Sequence, residues 1–346
     1  MSVVMTTTPD DVTHQSATAG SDMTSSPSRG VANYFEATIV FIGVIGTAAN
    51  ALILYGMVAS KQHKKQLLIF NENALDLFSS CILLVVTYGA KLAKISLIGS
   101  VGYWLCMWLL SENILWCGIL ASKFNLILVT IERYLKVVHH KKVPRNWMYC
   151  AAAFSWISGF VLSIGITLTT TDVIDGICYA YVVWSSKESQ LAYGIWYFFF
   201  FFFVMLAVFI FCYGHILKLI RRQASVMASH SGAAASNTQQ AKTNQMQINV
   251  VKTMVFVSVF YAVSDLPMNV YYLLLNINTH MTIIESGYYT SLFISFFYIC
   301  ANPFIYAIKF DPVKRVLLRL IPCRKIAEQP NENVEMTGSV TTNRAA

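Results

Sequence analysis

Four ionisable residues lie inside long apolar runs of this 346-residue chain: Glu72, Asp76, Lys123 and Asp265. A charge in an apolar interior raises the free energy of the folded protein unless it is paired, solvated or neutralised. We therefore expect each of these residues to have a partner. Carboxylates and an ammonium group at this depth could hold a cation, form an ion pair or pass protons. The sequence has no nucleophile–base pairing, metal-ligand run or phosphate loop, so it does not predict an enzyme.

A second chemical signal is the segment Asn302-Pro303-Phe304-Ile305-Tyr306, near the end of the last apolar run. Proline removes a backbone hydrogen bond and bends a helix. The Asn302 amide needs polar partners because lipid offers none. A kinked, polar segment inside an apolar bundle therefore indicates a moving part.

The elements that must position these residues are membrane helices. Hydrophobic residues make up 56% of the chain, charged residues only 12%, and the mean hydropathy is +0.54, whereas soluble domains carry about 25% charged residues. The apolar runs reach the roughly 20 residues that cross a bilayer. They predict an all-α membrane protein, a seven-transmembrane helix bundle over residues 35–309. The predicted spans are 35–59, 67–90, 103–137, 148–170, 190–221, 248–276 and 286–309.

Basic residues predict the orientation. They concentrate in the first, third and fifth loops and after the last span, and cytoplasmic segments carry such an excess. The disordered N-terminal segment 1–34, which lacks a signal-peptide core, is then extracellular and the C-terminus cytoplasmic. We expect a multi-pass protein of the plasma membrane whose basic inner rim faces anionic lipid. Because the bases are spread over several loops without a binding motif, no nucleic-acid partner is expected.

The segments that flank the spans are polar. Residues 223–246, rich in Ala, Ser and Gln, predict a flexible cytoplasmic loop. Residues 310–322 predict a short amphipathic cytoplasmic helix at the membrane surface, capped by Asp311. Cys323 follows at that surface and is a candidate for palmitoylation, with an unmodified thiol as the alternative. Residues 323–346 predict a disordered cytoplasmic tail.

Several short motifs occur together at particular places along the spans, and together they make the chain resemble the rhodopsin-like (class A) G-protein-coupled receptors over residues 35–323. The motifs are Glu132-Arg133-Tyr134 at the end of the third span, Asn302-Pro303-x-x-Tyr306 in the seventh, Asn50 in the first, Asp76 in the second, and Trp156, Tyr213 and Pro267 in the fourth, fifth and sixth.

The resemblance implies a receptor. An extracellular small molecule or short peptide would repack the outer half of the bundle, and the sixth span, which carries Pro267, would swing outward at its cytoplasmic end. Arg133 would leave Glu132 and meet a heterotrimeric G protein, while Tyr213 and Tyr306 swing inward. Such a change is a population shift between two packings. Arrestin and a receptor kinase are expected partners of the tail.

The resemblance also implies a sodium ion, held by Asp76 and the matching Ser122 and Asn302, with Asn50 nearby. Hard oxygen ligands suit such an ion. The alternative is a neutral Asp76 in a hydrogen-bond network. Glu72, one turn before Asp76, stands where the family usually has an apolar residue, which changes the local charge balance.

A disulfide between Cys106 and Cys178 is implied in the same way, since the family joins the top of the third span to the second outer loop, and the outside of the cell is oxidising. Cys106 lies about two residues further from Arg133 than is usual in the family. This spacing predicts a small offset in the helix rather than a missing bond.

The middle of the bundle departs most from the family. Asp265 replaces the usual tryptophan of the sixth span, Met205 the usual proline of the fifth, and Lys123 an apolar residue of the third. In the family these places touch one another, so we predict a buried ion pair between Lys123 and Asp265 that replaces an apolar connector. Two alternatives are open: Lys123 pairs with Asp76 or Glu72, or Asp265 is protonated.

Two residues that differ from those of known receptor subfamilies narrow the chemical class of the ligand. Leu115 matches the acidic residue that binds amines in aminergic receptors, and Phe296 lies where opsins carry their retinal-binding lysine, so neither a classical monoamine nor retinal is expected. Glu112 could meet a cationic ligand or form a rim bridge with Lys91 or Lys94. The candidate ligand contacts are Glu112, Leu115, Tyr271, Tyr272 and Tyr289.

Two other classes of function compete with a coupled receptor. The buried charges could form the ion path of a transporter or channel, but seven spans without an inverted repeat argue against a transporter. A receptor-like protein that does not couple is the other alternative, because the apolar connector is lost.

Overall fold

Each predicted apolar span forms a helix, since in an apolar solvent a helix satisfies its own backbone hydrogen bonds. The computed structural model describes residues 29–92, 99–181, 183–229, 238–277, 285–309 and 311–320. The helices are α1 (Arg29–Ala59), α2 (Leu67–Leu92), α3 (Gly99–Val137, irregular near Cys106), α4 (Arg145–Thr170), α5 (Lys187–Phe198, then a π-helical segment Phe199–Val204, then Met205–Ser229), α6 (Thr238–Ile277), α7 (Glu285–Lys309) and α8 (Asp311–Leu320).

The first seven helices form a closed bundle. Six of the described helices are long and apolar enough to cross a membrane, and α7, with 25 residues, completes the bundle. Contacts join α1 to α2, α2 to α3, α3 to α4 and α5, α5 to α6, α6 to α7, and α7 back to α1. Apolar side chains such as Ile157, Ile210 and Val263 are exposed on the outside, whereas Asn50, Asp76 and many other polar residues are buried inside. This distribution is that of a protein whose solvent is lipid.

One end of the bundle, here called the hairpin end, carries a two-stranded antiparallel sheet of β1 (Asp172–Ile174) and β2 (Ile177–Tyr179). Asp175 and Gly176 form the turn with φ of 52° and 76°, which is the requirement of a two-residue hairpin turn and explains the Asp-Gly pair. The predicted disulfide is confirmed: Cys178 in β2 is bonded to Cys106 in α3, with a Cα–Cα distance of 5.6 Å.

The start of α3 is irregular, and this irregularity explains the unusual position of Cys106. A π-helical segment covers Cys106–Leu110, and Ser111 N donates to Cys106 O at 2.9 Å. Glu112 then adopts a left-handed backbone with φ of 58° before the regular helix resumes at Asn113. The widened turn and the break accommodate extra residues, so the offset predicted from the spacing is present.

The opposite end, here called the α8 end, carries the short amphipathic helix. The Val313 side chain is fully buried, whereas Lys314 and Arg315 are exposed, and α8 contacts α1 and α7. A Cβ on Gly56 would lie 2.9 Å from Val313 Cγ1, so α8 approaches α1 where α1 has no side chain. The amphipathic helix predicted over 310–322 is thus present as Asp311–Leu320.

The predicted loop 223–246 is too long. Helix α5 continues to Ser229 and α6 begins at Thr238, because Ala, Gln, Met and Lys favour helix even where the sequence is polar. Likewise α1 begins at Arg29, before the predicted boundary. Several predictions fall on residues that the structure does not describe. They concern residues 1–28, Cys323, the tail 323–346, Lys94, and the side chains of Lys91 and Tyr306.

Candidate functional site

A buried ion pair joins α3 to α6 in the middle of the bundle. Lys123 Nζ lies 2.8 Å from Asp265 Oδ2, and the two side chains are 3% and 11% exposed. Lys123 therefore pairs with Asp265, as predicted, and not with Asp76 or Glu72. Because either charge alone would be costly here, each helix stabilises the charge on the other.

Aromatic rings surround the Lys123 ammonium group. The ring centroids of Tyr197 and Phe201 in α5 and of Tyr261 in α6 lie 5.7, 5.7 and 5.9 Å from Lys123 Nζ. At such distances a cation is attracted to the ring faces. The lysine is thus held by one carboxylate and three rings from two neighbouring helices.

Tyr261 and Asn269 complete the surroundings of Asp265. The Tyr261 hydroxyl donates to Asp265 Oδ2 at 2.8 Å, and Asn269 Nδ2 donates to the Asp265 carbonyl at 2.7 Å. The same hydroxyl oxygen lies 3.9 Å from the Met205 sulfur. The three positions that depart from the family, Lys123, Met205 and Asp265, therefore meet around Tyr261.

A second polar network surrounds Asp76. Asn302 Nδ2 donates to Asp76 Oδ2 at 2.8 Å, so α7 is bonded to α2 one residue before Pro303. Ser122 Oγ lies 2.8 Å from Glu72 Oε1 and 3.4 Å from Asp76 Oδ1, and its hydroxyl therefore lies between the two carboxyl groups. Glu72 also accepts from Asn125 Nδ2 at 2.6 Å. The second carboxyl group is thus integrated into the network and does not stand apart from it.

A cavity connects the two networks. Its wall includes both Asp76 and Asp265, and the hydroxyl oxygens of Ser79 and Ser295 in that wall have no hydrogen-bond partner in the described part of the chain. Although most of the wall is apolar, its carboxyl groups and unpartnered hydroxyls are groups to which a water or an ion can bind. The lining residues are Asp76, Ser79, Trp116, Ile119, Ser122, Tyr261, Asp265, Ser295, Phe296, Tyr298 and Ile299.

Asn50 has a structural task next to these networks. Pro303 has no N–H, so the carbonyl of Ile299, four residues earlier, lacks its helical partner. Asn50 Nδ2 donates to that carbonyl at 3.1 Å and to Gly46 O at 2.9 Å. Asn50 therefore stabilises the proline kink of α7 from α1, and its hydrogen bonds go to main-chain oxygens rather than to Asp76.

The predicted Glu132–Arg133 contact lies at the α8 end. Arg133 Nη2 is 3.6 Å from Glu132 Oε2 and donates to Gln66 at the start of α2. Glu132 also forms an ion pair with Lys136, one turn later. The glutamate thus divides its interaction between two cations, and the arginine is held by α2 as well as by its neighbour.

Tyr213 joins three helices near this arginine. Its hydroxyl lies 3.0 Å from Thr130 Oγ1 in α3 and accepts from Ser258 Oγ in α6 at 3.2 Å. Tyr134, the last residue of the arginine motif, lies against His215, with 3.4 Å between the Tyr134 hydroxyl and His215 Nδ1. The α8 ends of α3, α5 and α6 are therefore connected through tyrosine side chains.

The predicted ligand contacts pack against different helices. Tyr272 packs against Tyr197 of α5 with ring centroids 5.1 Å apart, whereas Tyr289 packs against Phe35 of α1 at 4.3 Å. Leu115 is fully buried in an apolar cluster that includes Leu292 and Phe296. Tyr272 thus packs against α5, Tyr289 packs against α1, and Leu115 lies in an apolar cluster.

Glu112 and Tyr271 remain at the hairpin end of the bundle. Tyr271 packs against Tyr288 with ring centroids 5.5 Å apart. Glu112 is only 8% exposed and lies at the break in α3. No ion pair to Glu112 is present among the described residues.

Several residues of these networks were not predicted from the sequence. Gln66, Lys136 and Asn125 are polar residues near span ends or within spans, and their partners depend on how the helices are rotated. Ser258 carries only the weak signal of a hydroxyl in an apolar run. Asn269, one turn after Asp265, is the residue that periodicity could have identified, because i and i+4 share a helix face.

Comparisons with known proteins agree with this architecture. The chain matches the family described as 7 transmembrane receptor (rhodopsin family) over residues 49–306. The crystal structure of squid rhodopsin has the same fold, with a TM-score of 0.68, 16% sequence identity, and coverage of 87% of this chain and 89% of that chain. A comparison with curated proteins found no match. Since the family match covers most of the chain, from the first helix to Tyr306, this protein belongs to the rhodopsin family of seven-transmembrane receptors and is not an enzyme.

Proposed function

We propose that this receptor binds an extracellular small molecule or short peptide and activates a heterotrimeric G protein through outward movement of α6 at the α8 end. The proposed setting is the plasma membrane, with the hairpin end outside the cell and α8 in the cytoplasm. The excess of Lys and Arg in the loops at the α8 end supports that orientation.

The observation that carries the proposal is the position of Arg133. It lies at the α8 end with a single ionic contact of 3.6 Å to Glu132, and its Nε has no hydrogen-bond partner among the described residues. Tyr213, which bonds α3 and α6, lies close enough to interact with Arg133 electrostatically. A movement of α6 that breaks the bond from Ser258 to Tyr213 would expose an arginine with donors still to satisfy.

The route from the ligand to that end runs through the buried ion pair. Lys123 and Asp265 join α3 to α6 between the hairpin end and Arg133, and the cavity beside them reaches Asp76. A ligand that prefers one arrangement of α6 shifts the population by its difference in affinity for the two arrangements. In this receptor the ion pair is therefore a polar connector, at the place where the family has an apolar connector.

We also propose that a sodium ion binds at Asp76. The donor set fits a hard cation: carboxyl oxygens of Asp76 and Glu72, the Ser122 hydroxyl, and Asn302 Oδ1, a buried oxygen without a partner in the described residues. When bound, the ion would supply positive charge between the two carboxyl groups.

Arrestin and a receptor kinase are proposed partners of the C-terminal tail.

The test is a panel of small molecules and short peptides applied to cells that carry biosensors for several G proteins. We expect at least one compound to activate a sensor in the wild type, and Arg133→Ala to lower that response at least about tenfold, since hydrogen bonds to a charged group contribute about 1.5–3 kcal/mol. Arg145→Ala, which removes an exposed arginine at the same end, is the matched control and should signal normally.

Undiminished signalling by Arg133→Ala at equal surface level would show that the assigned mechanism is wrong. An ion current or substrate flux without any sensor response would favour the transporter or channel alternative. Binding of a panel compound with neither response would favour a receptor-like protein that does not couple.

A further inference from the structure

Glu112 is a buried carboxylate for which the described residues provide no basic partner. It is 8% exposed, and the described ion pairs of the chain's lysines and arginines are formed by Lys123, Arg133 and Lys136 with other acids. Taking an unpaired carboxylate out of water is costly, and the cost is removed when a cation binds. Among the described residues, therefore, no basic side chain supplies positive charge to this carboxyl group.

The backbone at Glu112 is strained as well. Its φ of 58° lies in the left-handed region, which is unfavourable for a residue with a side chain. Such strain is kept only where the surrounding structure over-determines it, and strained residues cluster at ligand sites. The π-helical segment that begins at the disulfide-bonded Cys106 ends two residues before Glu112, so the break follows directly on an irregular turn.

The surroundings of Glu112 are aromatic. The carboxylate interacts electrostatically with the hydroxyls of Tyr181 and Tyr288, which come from the segment after the hairpin and from α7. Burial, and to a smaller extent the Glu112 charge, raise the pKa of Tyr181, so its hydroxyl stays protonated. The Tyr288 ring is in contact with the Tyr271 ring, and the Tyr271 hydroxyl is buried without a partner among the described residues.

We infer that Glu112 binds the cationic group of the ligand, an ammonium or guanidinium, with the rings of Tyr288 and Tyr271 beside it. A carboxylate supplies the ionic bond, ring faces attract the same cation, and the free Tyr271 hydroxyl can accept a hydrogen bond from it. The site differs from the amine site of aminergic receptors, because Leu115, one turn deeper, is enclosed in apolar side chains. This inference rests on the proposed receptor function, since it names the class of ligand.

Direct binding tests the inference without any G protein. The receptor is purified in lipid nanodiscs, and its melting temperature is measured with phenethylamine, benzylguanidine and an aromatic tripeptide with a free N-terminus. The matched neutral probes are phenethyl alcohol and the N-acetylated tripeptide. We expect at least one cationic probe, and none of the neutral ones, to raise the melting temperature in a saturable way, as a ligand that binds only the folded state must.

Substitutions of Glu112 test whether its carboxylate is the group that binds the cation. Glu112→Gln should weaken the effective probe at least about tenfold, the loss expected for a charged hydrogen bond, whereas Glu112→Asp should keep part of the affinity. Asp175→Asn, which neutralises an exposed carboxylate of the hairpin, should bind as the wild type does. The inference would be overturned by cationic probes that never stabilise the wild type, or by equal stabilisation of Glu112→Gln.

Two further results distinguish cation binding at Glu112 from a structural rim bridge and from G-protein coupling. A rim bridge from Glu112 to Lys91 or Lys94 would instead make probe-free Glu112→Gln melt at a lower temperature, with no probe effect in the wild type. Arg133→Ala should keep the probe-induced shift even if it loses signalling. Cation binding and G-protein coupling can therefore fail independently.

Discussion

Replacing Lys123 by methionine tests the buried ion pair most directly. At 2.8 Å and an effective dielectric constant of about 20, two opposite unit charges attract each other by about 6 kcal/mol. Much of that attraction offsets desolvation, so removing one partner of a buried pair costs about 3–5 kcal/mol, chiefly because the other charge is left alone. We therefore expect every variant that removes a single partner to be strongly destabilised.

The two single variants should differ in a way that the structure predicts. After Lys123→Met, Asp265 keeps the hydrogen bond from Tyr261 and that from Asn269 to its carbonyl, so the loss should be near 3 kcal/mol. After Asp265→Leu, Lys123 keeps the aromatic rings around it, each contributing about 0.5–2 kcal/mol, and its interaction with the Tyr197 hydroxyl, but no opposite charge. That loss should be nearer 5 kcal/mol.

The double variant completes the measurement. Lys123→Met with Asp265→Leu exchanges the pair for apolar side chains, which is often neutral or stabilising, and its main cost is the lost acceptor of Tyr261, about 1–3 kcal/mol. The assay is the free energy of unfolding of the purified receptor, with melting temperature and surface level as supporting readouts. We expect the two substitutions to be coupled by at least about 3 kcal/mol.

Simple additivity would refute this reasoning. If the two single losses sum to the double loss within about 0.5 kcal/mol, the charges do not interact energetically. A Lys123→Met receptor with wild-type stability and signalling would lead to the same conclusion. A larger loss for Lys123→Met than for Asp265→Leu would show that the aromatic rings matter more than the carboxylate's other partners.

Two further predictions concern the neighbouring polar groups. Asn50→Ala should lower the free energy of unfolding by about 1–3 kcal/mol, because the Ile299 carbonyl then loses its donor in a buried place; an unchanged unfolding curve would mean that another group satisfies that carbonyl. Replacing potassium by sodium at constant ionic strength should raise the melting temperature of the wild type, as binding to the folded state does, and should not raise that of Asp76→Asn; equal melting in both salts would exclude the sodium site.

Much of this architecture follows from the sequence. The seven spans can be predicted from the sequence because each must be apolar over its whole length. The pair of Lys123 with Asp265 is predictable because both charges replace family residues that touch one another. The alternative partners, Asp76 and Glu72, could not be excluded beforehand, since the choice depends on the rotation of α3 and on the direction of one flexible lysine.

Other features were not predictable because they arise from several elements at once. The break at Glu112 reflects the disulfide, the π-helical segment and the helix that follows, and no local pattern encodes it. The Asp175-Gly176 turn, by contrast, carried a readable hairpin signal. The role of Asn50 depends on a contact between α1 and α7, since its amide reaches the Ile299 carbonyl that Pro303 leaves without a helical donor. Helix ends such as Thr238 were misplaced because polar helix formers extend a helix beyond the membrane.

The position of the Lys123–Asp265 pair along α6 has a mechanical consequence. Val251 lies 14 residues before Asp265 in α6, which is about 21 Å of helix. If the pair acts as a fulcrum, each degree of tilt would displace the backbone at Val251 by roughly 0.4 Å, from the same helix length. A tilt of this kind needs no rupture of the pair, since the atoms on the axis barely move. The ion pair would then fix the axis about which α6 turns, and the contacts further along the lever arm, such as Ser258 with Tyr213, would set the resistance.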